Sequence, residues 1–359
     1  MKKPFAITLD VGTSLENRTG SWRTLRPTYV HKLPPCNKQC PAGEDIQGWL
    51  FYAENGNYEK AWRHLVKRNP FPSCMGRVCY HSCEGACNRG QLDESVGINS
   101  VERFLGDNAL ENGYKFEKPA KKTGKKVLIV GSGPAGLSAA YQLALKGHEV
   151  TVKEGSPEAG GMMRYGIPKY RLPRRVLDQE IARIAELGVK IELNYTVKSI
   201  EEEKAKFGYD AVFLAVGAGM AKNAYIPGGD AKHMLDAVSV LRSMEGEDEP
   251  MLGRRVVVYG GGNTAIDVAR SAKRLGAEPL IIYRRTRDKM PAHDFEVEEA
   301  LQEGVSVKWL STISEAENPK EIKIEKMRLD ENGNPQPTGE FETVEADTVV
   351  LALGQNVDQ

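Results

Sequence analysis

Twice along the chain, a five-residue apolar strand runs into a glycine turn that opens a helix and leads to a second strand. The first copy reads KVLIV (126–130), GSGPAG (131–136), LSAAYQLALKG (137–147) and HEVTVKE (148–154). The second reads RVVVY (255–259), GGGNTA (260–265), IDVARSAKRLG (266–276) and AEPLIIYRR (277–285). Strands separated by helices of this length form parallel sheets joined by right-handed crossovers. The chain has 359 residues, which leaves room for two or three domains at roughly 100–200 residues each.

Both copies carry the mechanics of a Rossmann-type phosphate cradle. Gly131 makes the tight turn, Gly133 lets the backbone approach a pyrophosphate, and Gly136 packs helix on strand, with Pro134 and Ala135 opening the helix. Glu154, at the end of the second strand, stands where an acid bonds a ribose 2′-hydroxyl. In the second copy Gly262, Asn263, Thr264 and Ala265 form the turn, with Ala265 in the third glycine's place. Here the second strand ends on Arg284 and Arg285 instead of an acid. Guanidinium groups at that position suit a 2′-phosphate, so NADP is expected over NAD.

All six cysteines lie between Cys36 and Cys87, and Trp22, Trp49 and Trp62 fall with them within residues 1–118. In a reducing compartment such clustering favours thiolates that hold a metal, either iron with sulfide or tetrahedral zinc. A flavin-linked disulfide reductase needs a cysteine pair beside its flavin, and none follows Cys87. Residues 1–118 are read as a small helical domain. Residues 45–70 show helical spacing broken at Asn55–Asn57, and a further helix is expected over Val101–Leu110. Lysine-rich 118–126 reads as a solvated linker. The 49 basic and 49 acidic residues cancel, so no global field recruits nucleic acid. No run approaches the roughly 18 apolar residues of a membrane helix. The N-terminal MKKPFAITLD breaks at Asp10 with no cleavable signal, and a cytoplasmic protein is expected. His233 and His293 read as surface or packing residues.

The strings GGMMRYGIPKYRLP (160–173), IPGGD (226–230), GGGNTAID (260–267) and YRR…MPA (283–292) resemble the small subunit of glutamate synthase. They are similar also to the NADPH-oxidising half of dihydropyrimidine dehydrogenase. The resemblance implies an α/β chain with an N-terminal all-α iron–sulfur domain, then two Rossmann-type domains, the NAD(P) domain inserted in the FAD domain. The implied boundaries are 1–118, 119–225 (first part of the FAD domain) and 226–345, with 346–359 as the strand returning to the FAD domain, whose remainder would lie beyond residue 359. By position Gly131, Gly133, Pro134, Ala135, Gly136, Glu154, Gly161, Met162 and Arg171 would meet FAD. Gly262, Asn263, Thr264, Ala265, Arg284 and Arg285 would meet NADP, with Ala352, Leu353 and Gly354 near the nicotinamide. Cys40, Cys79, Cys83 and Glu102 would hold one [4Fe-4S] cluster, and Cys36 and Cys87 a second that needs two upstream cysteines. Residues 1–35 contain none, so one intact cluster is expected. The implied activity is NAD(P)H:acceptor oxidoreduction, passing electrons from NADPH through FAD and the cluster to a partner subunit or ferredoxin. The alternative is a non-catalytic docking subunit that carries a cluster and no flavin.

Overall fold

The computed structural model describes residues 33–222, 226, 234–246, 250–318 and 320–357. Trp22, His233 and positions 227–230 of the IPGGD string lie outside the described residues.

The first part of the chain is helical: α1 (Pro35–Gln39), α2 (Ile46–Glu54), α3 (Tyr58–Leu65), α4 (Pro72–Val78), α5 (Ser82–Gly85) and α6 (Ile98–Glu111). Asp45 caps α2 by accepting from Gly48 N–H, and the Asn55–Asn57 turn separates α2 from α3 as the sequence pattern requires. Helices α4 and α6 cross at backbone contact. A Cβ on Gly76 would stand 2.4 Å from Arg103 Cα, and one on Gly106 would stand 2.3 Å from Ser73 N. Only glycine allows this crossing, which sets Cys79, at the C-terminal end of α4, against Glu102 of α6.

The first wound unit holds β1 (Lys126–Val130), α7 (Pro134–Leu145), β2 (Glu149–Lys153), α8 (Met162–Tyr165), α9 (Arg174–Ala185), β3 (Lys190–Glu192), α10 (Ile200–Phe207) and β4 (Ala211–Leu214). Its sheet is parallel throughout, in the order β3-β2-β1-β4. The helical part and this unit share one apolar core, in which Trp49, Trp62 and Leu105 are continuous with Ile129, Leu137, Val152 and Leu177. Polar bonds pin the seam. Tyr141 Oη donates to Val66 O at 2.8 Å, and the buried Glu180 of α9 accepts from the N–H groups of Ser73 and Cys74 on α4. The lysine-rich linker is solvent-exposed yet fixed in place, because Thr123 N–H donates to Gly147 O and Lys125 pairs with Asp210. Edge strand β4 leaves Phe213 and Leu214 exposed.

The chain passes through β5 (Met220–Ala221) into β6 (Met234–Asp236), α11 (Ala237–Ser243), β7 (Arg255–Tyr259), α12 (Asn263–Arg274), β8 (Glu278–Ile282), α13 (Asp294–Gln302) and β9 (Ser306–Lys308). Three antiparallel strands follow: β10 (Ser311–Asn318), β11 (Glu321–Leu329) and β12 (Pro335–Glu345). Then come β13 (Thr348–Leu351) and β14 (Gln355–Asn356). The second parallel sheet has the order β6-β13-β7-β8-β9. It is covered on both faces, so its inner strands β7 and β13 carry unbroken apolar runs at Val256–Val258 and Val349–Leu351. In β7, Val256 and Val258 pack under the helices while Val257 packs under the antiparallel meander; in β8, Ile281 and Ile282 divide the same way.

One expectation changes here. Residues 346–359 do not return as a unit to the first sheet, because β13 lies between β6 and β7 of the second. Four buried residues, TVVL, suit an inner position in either sheet, and only long-range pairing decides between them. The returning segment is β14, which runs antiparallel to β5. The second unit therefore hangs on two strands side by side, one leaving the first unit and one coming back.

Candidate functional site: two phosphate cradles and a cysteine-lined cavity

In the first cradle Gly131 turns at φ 101° and its N–H donates to Lys153 O. A Cβ there would stand 2.4 Å from Ala215 O, and one on Gly136 would stand 2.0 Å from Gly131 O. Gly133 caps α7, and Gly161 lies against it, so close that a Cβ on Gly161 would stand 2.6 Å from Gly133 Cα. Met162, the first residue of α8, and Pro134 and Ala135, which open α7, flank this contact. Glu154 reaches back to the turn, where its Oε2 accepts from Ser132 N–H at 2.8 Å and from Ser132 Oγ at 2.7 Å. Burial alone would raise the carboxyl, but the bonds from Ser132 and Ser156 outweigh it and hold Glu154 below its ordinary value. An ionised acceptor therefore stands beside the glycine turn.

Arg171 does not join this cradle. Its Nη1 donates to both carboxylate oxygens of Asp267 at 2.8 Å, and its Nη2 lies 2.5 Å from Glu296 Oε1. The guanidinium is committed to α12 and α13 of the second unit, a buried pairing that locks the GGMMRYGIPKYRLP loop against the other sheet.

In the second cradle Gly260 turns at φ 148° beside Ala352, and a Cβ there would stand 2.3 Å from Ala352 O. Gly262 caps α12 and has nothing within 4 Å of where a Cβ would stand, so the cradle is open on its ligand side. Asn263, Thr264 and Ala265 form the first turn of α12. The MPAH segment straps across: Ala292 N–H donates to Gly261 O, and His293 N–H donates to Asn263 Oδ1. Ala352, Leu353 and Gly354 follow β13 past the turn, and Gly354 O accepts from Lys222 N–H. Arg284 is exposed, Arg285 is half-buried with its Nε enclosed and unbonded, and neither guanidinium pairs with an acid among the described residues. The neighbouring Arg254, Arg270, Arg274 and Arg287 all pair with glutamates.

Two glycines of this second cradle make opposite predictions for an added methyl group. Gly260→Ala forces a side chain into Ala352 O at a left-handed φ and lowers the melting temperature sharply. Gly262→Ala has φ −90° and free space, so the melting temperature stays within about 2 °C while NADPH affinity falls about tenfold, because the methyl fills the phosphate approach. Thermal melts and a fluorescence titration on both variants check this.

Cys40, Cys79, Cys83 and Glu102 line one cavity of about 220 Å³. Cys40 ends α1 and Cys79 ends α4, both in extended conformation, and Cys83 sits in α5. Ser82 Oγ donates to Gln39 O and Glu84 accepts from Asn99 N–H, which ties α5 to α1 and α6. His81, in left-handed conformation, turns its N–H onto Cys79 Sγ at 3.3 Å. Burial raises all three thiols, Cys83 to about 12, and the charges of the neighbouring thiols and Glu102 push in the same direction. Glu102 is raised well above the carboxylate range by burial and then by Glu44 and Glu180, and Asn69 donates to both Glu102 and Glu44. Three thiols and a carboxyl held protonated by burial and neighbouring charge fit a cationic group that would stabilise their anions, and among the described residues no group of three or more His, Cys, Asp or Glu side chains could hold a single metal ion.

The other cysteines stand apart. Cys36 packs on the helical core with its Sγ toward Asn37, and Cys87 is outside the cavity, its thiol lowered by N–H groups of Val96, Arg89 and Gly90. Cys74 is buried in α4 beside Glu180, and burial raises its thiol strongly. Pro134, expected only at the dinucleotide cradle, and Ser138, which carries no sequence signal, both from the first turns of the cradle helix α7, form part of the same cavity wall.

Two dinucleotide cradles behind a cysteine-lined helical part define a pyridine-nucleotide flavoprotein with an iron–sulfur segment. Residues 125–359 match the family described as pyridine nucleotide-disulphide oxidoreductase, and residues 26–114 match dihydropyrimidine dehydrogenase domain II, 4Fe-4S cluster. The chain is 32% identical to the glutamate synthase [NADPH] small chain of Escherichia coli, over 89% of this chain and 74% of that one. It is 39% identical to the NADP(+)-dependent formate dehydrogenase subunit beta of Moorella thermoacetica, over 90% of this chain and 51% of that one. FprA of Mycobacterium tuberculosis shares the fold, with TM-score 0.56, 21% identity, and coverage of 65% and 71% of the two chains. The chain belongs to the pyridine nucleotide-disulphide oxidoreductase family, in the group that includes the glutamate synthase small chain. Its cofactors are accordingly FAD, a nicotinamide dinucleotide and a [4Fe-4S] cluster. The chain spans about half the length of the formate dehydrogenase subunit it matches. Among the described residues no helix is long and apolar enough to cross a membrane.

Proposed function

We propose that this chain is the electron-input part of a cytoplasmic NAD(P)H:acceptor oxidoreductase, which takes electrons from NADPH and delivers them to a partner subunit or ferredoxin. The reading rests on one observation above the others: the cavity of Cys40, Cys79, Cys83 and Glu102 is walled by Pro134 and Ser138 of the flavin-cradle helix. A cluster held there abuts the cradle with no intervening domain. When bound, FAD accepts a hydride from NADPH and releases single electrons that an iron–sulfur cluster can carry.

The protein's own groups bind and position. The open side of Gly262 and the N-terminus of α12 take a pyrophosphate, Arg284 and Arg285 take the 2′-phosphate, and the first turn of α7 with Glu154 takes the pyrophosphate and ribose of FAD. The three thiolates and Glu102 hold the cluster. No acid–base residue is required, because hydride transfer needs alignment, not proton transfer from a side chain. Relatives act in a formate dehydrogenase and a glutamate synthase, so the input module is paired with different acceptors.

Anaerobic purification followed by NADPH addition tests the reading. The expected result is about four irons and one FAD per chain, with the flavin band bleaching and the cluster absorbance falling after it. Iron without flavin, and no response to NADPH, would overturn it in favour of a docking subunit.

A further inference from the structure

The helical part and the second dinucleotide unit meet through Tyr80, with His81 near Phe295 beside it. Tyr80 directly follows Cys79, and its ring stacks on His293 with centroids 3.8 Å apart and planes 22° from parallel. Its Oη accepts from Asn263 Nδ2 at 2.6 Å. Asn263 is the first residue of α12, beside the capping Gly262, and its Oδ1 is held by His293 N–H at 3.1 Å. The amide is thus fixed at both ends, once by the strap over the glycine turn and once by the cysteine-bearing part. Tyr80 also lies within bonding reach of Arg171, which holds Asp267 one turn further along α12 and Glu296 on α13.

An amide at a helix N-terminus beside an open glycine is placed to donate to a phosphate oxygen, and the Nδ2 proton that does not point at Tyr80 is available for it. Leaving that amide to rotate would cost binding energy when a ligand arrives; fixing it in advance does not. The fixing group comes from outside the dinucleotide unit, one residue from a thiol of the cysteine-lined cavity. A ligand that tightens Asn263 therefore acts on the Cys79 loop, and linkage makes the effect reciprocal.

We infer that Tyr80 is a positioning residue of the nicotinamide-dinucleotide site: it orients Asn263 toward the pyrophosphate and couples occupancy of that site to the Cys79 environment. The inference rests on the proposed assignment of the second cradle to NADPH. The coupling joins two distinct sites through contiguous contacts, and its strength is that of one neutral hydrogen bond.

A double-mutant cycle on the full chain tests it, with NADPH as the probe and fluorescence titration as the readout. Tyr80→Phe keeps the ring on His293 and removes only the hydroxyl. It should weaken NADPH binding about fivefold, the worth of one neutral hydrogen bond, with an unchanged melting temperature. In an Asn263→Ala background the same exchange should have no further effect, because Tyr80 acts through Asn263. A second readout is visible circular dichroism of the cluster-loaded chain, in which NADP⁺ should shift the cluster bands of the parent and not those of Tyr80→Phe. Equal NADPH affinity of parent and Tyr80→Phe would overturn the inference, as would additive losses in the cycle. A parent chain that binds no NADPH would overturn the assignment of the cradle itself, an outcome separable from the other two.

Discussion

Replacing Cys79 by serine will strip the purified chain of essentially all cluster iron, while serine at Cys36 or Cys87 will leave about four irons per chain. The contrast follows from position. Cys79 shares a cavity with Cys40, Cys83 and Glu102, whereas Cys36 and Cys87 lie off its wall. A serine hydroxyl is a poor substitute because its alkoxide is far costlier to form than a thiolate, and a cluster that loses one of its anchors is readily lost. NADPH-driven bleaching of the flavin should persist in Cys79→Ser, since neither cradle takes a ligating group from that position. Iron and sulfide analysis beside the flavin spectrum measures both halves. Four irons retained in Cys79→Ser would place the cluster elsewhere, and iron lost in Cys36→Ser or Cys87→Ser would extend the ligand set beyond this cavity. Cys74→Ser gives the baseline: the residue is buried against Glu180, so the exchange should lower the melting temperature without removing iron.

The ease of reading differed between elements for physical reasons. Strands β1 and β7 and their glycine turns are legible because strand, turn and helix are consecutive, although the backbone that excludes a side chain at Gly131 and Gly260 comes from the distant Ala215 and Ala352. The convergence of Cys40, Cys79 and Cys83 came through the resemblance, and the structure supplies its cause in the glycine-to-backbone crossing of α4 and α6. The ion pair of Arg171 is not legible in sequence because its partner Asp267 is 96 positions away, and nothing near Arg171 in sequence distinguishes a flavin contact from an ion pair across units. The same holds for β13, whose buried run satisfies either sheet. Tyr80 had no signal at all, since its meaning depends on a strap more than 200 residues further on. The antiparallel meander did have one. In EIKIEKMRL, Ile322 and Ile324 point inward while Lys323 and Glu325 point out, the period-two alternation of a half-buried strand.

That contrast between local and distant determinants bears on the arginine pair, whose neighbourhood makes the second large prediction. Arg284→Ala with Arg285→Ala should weaken NADPH binding about 100-fold and change NADH binding by less than about twofold. Charge-assisted hydrogen bonds to a phosphate are stronger than neutral ones, and the proposed function assigns the 2′-phosphate to the two guanidiniums that follow β8. Arg284 is exposed, so screening keeps the loss below what two buried pairs would give. Stability should barely move. Neither guanidinium has an acidic partner among the described residues, so their removal orphans no carboxylate, whereas removing Arg270 or Arg274 would strip Glu303 of the partners that hold it at about 2. Salt provides a second axis, because the preference of the parent for NADPH over NADH should shrink as ionic strength rises while NADH affinity stays nearly level. Titrations of both nucleotides at two salt concentrations would separate the possibilities. An equal loss for NADPH and NADH would mean that the arginines serve the shared pyrophosphate, and a parent without preference would mean that the strand-end cations select no nucleotide.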